Sequence, residues 1–165
     1  MGFWADIKRA YREGAAKQTP KPAEPPAGEG PERKPADLRT FDSDGSRLPA
    51  VGEASYQHAL RVACDNCQNV PLRVECRAAF IAEPENPYDP YAIRVEVSGR
   101  KVGYFSRDDA REHRPVMSLL QALGYSGGEC AAMIAGREGI REALGIWLHL
   151  PHPDLLLEEL EEERV

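Results

Sequence analysis

Apolar and polar side chains alternate one for one from Leu72 to Phe80. Leu72, Val74, Cys76, Ala78 and Phe80 fall on one side, and Arg73, Glu75, Arg77 and Ala79 on the other. This is the period-two signature of a strand with one buried face. The alternation returns over residues 92–97, with Ile93, Val95 and Val97 inward. Ser98-Gly99-Arg100 turns the chain, and Lys101 to Phe105 comes back as the hairpin partner. Residues 129–135 and 145–150 read as two closing strands, and Leu48 to Gly52 as an opening one. Elsewhere the spacing is helical. Tyr56, Leu60 and Ala63 share one face, Met117, Leu120 and Leu123 another, and Leu155, Leu156 and Leu160 a third. Ser106 stands where a helix cap is needed, with Asp108 and Asp109 in the first turn, where carboxylates suit the helix dipole. Pro115 is incompatible with a helix interior. The pattern therefore predicts a break near His113 and a second helix from Pro115 to Gly124.

The order is strand, helix, strand, hairpin, helices, two strands, helix. Because the helices cluster instead of alternating with strands, the pattern predicts an α+β protein with an antiparallel sheet or small barrel, not a doubly wound sheet. The folded domain is expected over residues 47–150, with a separate acidic helix over 151–165. Phe3, Ile7, Ala10 and Tyr11 predict a short amphipathic helix within residues 1–14. Such a helix is marginal alone and needs a membrane surface, a partner or its own domain to lie on. Residues 15–46, with the run Lys21-Pro22-Ala23-Glu24-Pro25-Pro26, are expected to be a Pro-rich disordered linker.

Composition refines this picture. A chain of 165 residues that is 42% apolar has room for one domain of ordinary size plus tails. The net charge of −6 is mostly a tail effect: it is 0 over residues 1–46, −1 over 47–150 and −5 over 151–165. The central region thus leaves room for a local basic face. No stretch approaches the ~20 apolar residues of a membrane span, and Met1 to Ala16 has no secretory-signal pattern. A cytoplasmic protein is expected. Arg outnumbers Lys 16 to 5, and Ala, Gly and Pro are abundant, as in proteins of GC-rich bacterial genomes. Cys64, Cys67, Cys76 and Cys130 are then expected to be thiols. Cys64-x-x-Cys67 has the spacing of half a zinc site, but the second half is missing, and no cofactor is expected. The sequence has no P-loop, no G-x-S-x-G, no H-E-x-x-H and no Rossmann fingerprint. His113, His149 and His152 have no recognisable companions. The chain reads as a non-enzyme.

The informative string is Glu83-Pro84-Glu85-Asn86-Pro87-Tyr88-Asp89-Pro90-Tyr91-Ala92-Ile93-Arg94-Val95, followed at hairpin distance by Gly99-Arg100-Lys101-Val102-Gly103-Tyr104. It resembles the HIRAN family, whose pattern is an E-P-x-N-P-Y-D-x-x-A-I/V-x-V loop and strand, then a V-G-Y/H strand. Val51-Gly52-Glu53 with Tyr56 resembles the start of that family, and the likeness spans Leu48 to Leu150. The resemblance implies a small OB-like antiparallel β-barrel with two or three helices. It also implies binding of single-stranded DNA, especially its 3′ end, in repair or replication-associated processes. By the same resemblance, Asp89 meets the 3′-OH and Arg107 contacts phosphate, while the family's hydrolase chemistry resides in other domains.

The residues themselves are compatible with that chemistry. Single strands are gripped by aromatic platforms and a basic groove, and stacking is worth ~1–3 kcal/mol per base. Tyr88, on a Pro-flanked loop, is placed either to stack on a base or to pack on the barrel edge. Asp89 repels phosphate but accepts a hydrogen bond from a hydroxyl, as at a strand terminus; alternatively it caps the turn before Ala92. Tyr56, Arg94 and Lys101 complete the candidate set, with Arg100 and Arg111 behind them. Asn86 is expected to bond the loop backbone, and Gly103 to allow close backbone approach. One departure stands out. Family members that grip DNA tightly have an aromatic and a basic residue just before Tyr56, where this chain has Ala54 and Ser55. The alternative reading is a non-catalytic interaction scaffold that docks a protein partner through residues 1–14 or 151–165. In the nucleic-acid reading, the acidic tail can instead compete for the basic groove.

Overall fold

The computed structural model describes residues 37–64, 73–136 and 143–165. The helix expected within 1–14, the linker as far as residue 36 and Cys67 lie outside the described residues.

Seven strands form among the described residues: β1 (Leu38–Phe41), β2 (Leu48–Pro49), β3 (Arg73–Ala82), β4 (Ile93–Val97), β5 (Arg100–Tyr104), β6 (Gly127–Gly136) and β7 (Leu144–Leu148). With them run α1 (Gln57–Ala63), α2 (Arg107–Glu112), α3 (Arg114–Ala122) and α4 (Pro153–Arg164). The alternation along β3 appears as expected. Arg73, Glu75 and Arg77 are exposed, while Ala78 and Phe80 are completely buried. The strand path is β2-β7-β6-β3-β4-β5. Its two ends are joined by one bridge. The N–H of Val51, just past β2, donates to the carbonyl of Tyr104 at 2.8 Å, and the N–H of Tyr104 donates back at 3.0 Å. The sheet is thereby curled into a half-barrel, and the class is α+β.

One expectation needs correction: the linker does not extend to residue 46, and its last part adds one parallel strand to the antiparallel sheet. Leu38–Phe41 is a strand that pairs in parallel with β6, from Leu38 opposite Gly127 to Phe41 opposite Cys130. Phe41 is buried and stacks on Phe80, with ring centroids 6.0 Å apart. The β7 ladder covers only Ala132 to Gly136 of β6, so the remaining edge of β6 is free to take β1. A four-residue strand flanked by Asp37 and Asp42-Ser43-Asp44-Gly45 carries too little periodicity to register in the sequence. The start of β6 at Gly127, before the expected 129, has a related cause. A Cβ on Gly128 would lie 2.1 Å from the Phe80 ring, and one on Gly127 would lie 2.4 Å from the Phe80 carbonyl oxygen. Only glycine lets this strand pass over Phe80, whose ring also packs against Phe105 at 5.8 Å.

The helices form much as their caps dictate. Ser106 Oγ accepts the N–H of Asp109 at 3.1 Å at the start of α2, and Pro115 sits in the first turn of α3. Val116, Met117 and Leu120 turn that helix's apolar face to the core. α4 is not a separate tail. Leu156 and Leu160 are completely buried, and the helix packs on α3. Its carboxylates reach back to β1: Arg39 pairs with Glu159 and with Glu163, each at 2.7 Å, and the Tyr125 hydroxyl donates to Glu163 at 2.5 Å. Of the apolar stripe that could have docked a partner, Leu156 and Leu160 are used within the domain while Leu155 stays exposed, and two of the tail's acids are already held.

His113, between α2 and α3, is 3% exposed. Its Nδ1 lies 2.7 Å from the Asp109 carbonyl oxygen, and its ring meets Phe105 edge-on at 5.0 Å. Burial lowers its pKa, assisted by nearby His152 and opposed by the Asp109 carbonyl and by the charges of Asp109 and Glu112. The folded state therefore binds this proton less readily than the unfolded chain. The residue costs nothing above its ordinary pKa of 6.5, and stability falls as the pH drops from there through the depressed folded value. Urea unfolding of wild type across this window should show that loss, and His113→Gln should have a flatter profile whatever its absolute stability.

Candidate nucleic-acid interface

The loop from Glu83 to Tyr91 leaves β3 and returns into β4. Its ends are closed by the backbone: Glu83 N–H donates to Ala92 O at 2.8 Å, Asn86 N–H to Glu83 O at 3.0 Å, and Ala92 N–H to Asp89 O at 3.1 Å. Asn86 fixes the middle, as expected of it. Its Oδ1 accepts the N–H groups of Tyr88 (2.9 Å) and Asp89 (3.1 Å), and its Nδ2 donates to Glu83 Oε2 at 2.9 Å. An Asn side chain that takes two successive backbone donors replaces the bonds a regular turn would supply.

Glu83 is the residue that sequence reasoning missed. Besides Asn86, its carboxylate takes Lys101 Nζ at 3.0 Å and the Tyr104 hydroxyl at 2.9 Å, and Arg94 stands 3.6 Å away. Burial works to raise its pKa, but the bonds from Asn86, Lys101 and Tyr104 outweigh this and hold it below its ordinary value. Lys101 also donates to the Tyr104 hydroxyl at 2.8 Å, and Arg94 pairs with Glu96 at 2.6 Å. Tyr56 hydrogen-bonds Tyr104 and lies beside it, ring centroids 6.3 Å apart. The only signal in the sequence was the spacing of Glu83 and Asn86 inside the quoted string. The cluster itself joins three separate strands.

The structure thus brings Tyr56, Arg94 and Lys101 together, around Glu83 and Tyr104. Arg94 and Lys101 are half-buried counter-ions of Glu83 and Glu96 here, which differs from the free phosphate-binding cations that the sequence suggested. Gly103 allows the close approach expected: a Cβ there would lie 2.9 Å from the Val51 carbonyl oxygen. Tyr88 and Asp89 ride on the loop that the cluster anchors. Tyr88 is 68% exposed and does not pack on the barrel edge. Asp89 is half-buried, and its Oδ1 accepts the Tyr91 N–H at 2.9 Å, so the turn-forming role is real. Its Oδ2 carries no bond among the described residues. Arg107 is exposed at the first position of α2. Ala54 and Ser55 lie in a short 3-10 turn ahead of Tyr56. Tyr91 and Arg114, which the sequence did not single out, form a stack of guanidinium on ring.

Among the described residues no group of three or more His, Cys, Asp or Glu side chains is placed to hold a metal ion. Burial pushes the Cys76 thiol up to about 11 and Cys130 to about 12, so both stay protonated near neutral pH. No described helix is long and apolar enough to cross a membrane.

Residues 57–126, which contain this loop, the hairpin and all of the cluster except Tyr56, match the family model of the HIRAN domain. This segment of the chain is similar to a HIRAN domain. HIRAN domains are nucleic-acid-binding modules, and the anchored loop lies within the matched segment. Among solved structures, the crystal structure of the HIRAN domain of human HLTF matches with 18% identity and a TM-score of 0.36, over 71% of this chain and 86% of that one. No curated protein matches the sequence significantly.

Proposed function

We propose that this HIRAN domain binds single-stranded DNA and reads its 3′ end, as a binding module without catalysis of its own, in repair or replication-associated processes. The observation that carries the reading is the exposed ring of Tyr88 beside the Asp89 carboxylate, on a loop whose backbone Asn86 holds rigid. A pre-set ring loses little entropy when a base stacks on it. Asp89 has one oxygen committed to the turn and a second able to accept a hydrogen bond from a terminal 3′-OH. A phosphate in the same place would be repelled, so the carboxylate discriminates by sign of interaction as well as by fit. Arg107 holds the backbone phosphate that precedes the end.

The test is fluorescence anisotropy at low salt, comparing a labelled strand ending in a free 3′-OH with the same strand 3′-phosphorylated. Wild type should prefer the free end. Asp89→Asn keeps an oxygen for the Tyr91 N–H but removes the charge. A hydrogen bond to a charged group is worth about 1.5–3 kcal/mol, so the preference should shrink by roughly ten- to a hundredfold. Equal binding of both ends by wild type would make the domain a general backbone binder and remove the role given to Asp89.

A further inference from the structure

The Arg114 guanidinium carbon lies 3.4 Å from the centroid of the Tyr91 ring, the separation of a flat stack. Tyr91 is nevertheless 54% exposed. With one face covered by Arg114, that exposure places the other face toward solvent. Both partners are placed by rigid neighbours. Tyr91 is fixed by its N–H bond to Asp89 Oδ1 and by the Ala92 N–H to Asp89 O bond one residue on. Arg114 is the first residue of α3, locked between buried His113 and Pro115. A guanidinium stacked flat keeps its N–H donors directed outward around its rim, where they match the oxygens of a phosphate. The ring it backs is polarised by the cation and offers its free face to a base.

We propose that Tyr91 and Arg114 form a stacking and phosphate-holding step for a further nucleotide of the strand whose end lies at Tyr88 and Asp89. This rests on the single-strand reading above and adds to it. The end pocket alone would make affinity independent of the strand's length, whereas this step makes the domain grip a nucleotide upstream of the end. Arg107 and Arg111 are both exposed one turn apart on α2, and Arg111 stands 3.6 Å from Asp108.

The experiment is anisotropy with single strands that all end in a free 3′-OH and carry one abasic position, moved stepwise away from the end. For wild type, one internal abasic position should weaken binding by about five- to tenfold, the size of one lost base stack. Tyr91→Ala should weaken binding of the intact strand similarly and be indifferent to that abasic position. Arg114→Ala should also lose about fivefold, and Arg114→Lys should not restore it, since an ammonium neither stacks flat nor presents a fork. The preference for a free over a phosphorylated 3′ end should survive in all three variants. Both side chains are exposed or half-exposed, and thermal unfolding checks that the fold is intact. If wild type discriminates 3′ ends but Tyr91→Ala and Arg114→Ala bind as wild type, this inference falls while the end-reading function stands. If wild type binds no single strand at any salt concentration, the function falls and takes this inference with it.

Discussion

Phe41→Ala should destabilise the protein by about 3–5 kcal/mol, the usual cost of removing a buried aromatic ring, read as a lower midpoint in urea unfolding. In a Pro-rich linker the same substitution would cost nothing measurable. Here the ring is 2% exposed, stacks on Phe80 and has Arg39 near its face at 5.4 Å. Phe80 in turn packs against Phe105, so the cavity would open at one end of an aromatic row that runs from β1 through β3 to the residue before the α2 cap. The loss would reach further than the cavity. β1 is held to α4 through Arg39, Glu159 and Glu163, and freeing one end of that clamp loosens the other. An unchanged unfolding curve would mean that β1 is not part of the folded unit.

Glu83→Ala should act on stability and on binding together. It removes a carboxylate that takes three hydrogen-bond donors, and leaves Lys101 a half-buried ammonium without a counter-ion. Breaking one half-buried charge network of this kind costs about 2–4 kcal/mol. The carboxylate's folded pKa is depressed, so its contribution is present above the ordinary value of 4.5 and is lost as the pH falls through the folded value. The gap between wild type and variant should therefore narrow in acid. For DNA the sign of the change is the informative part. If Glu83 serves to hold the loop, its loss frees Asn86 and lowers affinity by about tenfold, because Tyr88 and Asp89 are no longer pre-set. If instead Glu83 masks Arg94 and Lys101 from phosphate, affinity rises and its salt dependence steepens. The bonds that the N–H groups of Tyr88 and Asp89 donate to Asn86 favour the first outcome.

The conformity of the hairpin, the Ser106 cap and the break at Pro115 to the sequence pattern has a common reason. Each depends on a few adjacent residues: a period of two, a hydroxyl one turn ahead of an N–H, a ring that cannot donate. The E-P-x-N-P-Y-D string was legible for the same reason, since Asn86 finds its partners within three residues. The exposure of Tyr88 could not be read in this way, because whether an aromatic packs or projects depends on what the neighbouring strands leave beside it. Tyr91 and Arg114 were passed over because nothing in either local pattern connects a loop tyrosine to the first residue of a later helix.

What the sequence determined by itself was local: which segments extend, which coil, where each starts and stops, and which loop carries the distinctive chemistry. The tertiary structure decided which segments meet. The curl of the sheet brings Val51 to Tyr104, lays β1 along the spare edge of β6 over two glycines, and ties Arg39 to Glu163 across 124 residues. It also gives Arg94 and Lys101, expected as phosphate ligands, a carboxylate partner in Glu83 at the start of the loop. A charge in a sequence shows only its sign. Whether it faces a solvent-borne phosphate or a carboxylate on the next strand is set by strand register, which a short polar segment cannot encode alone.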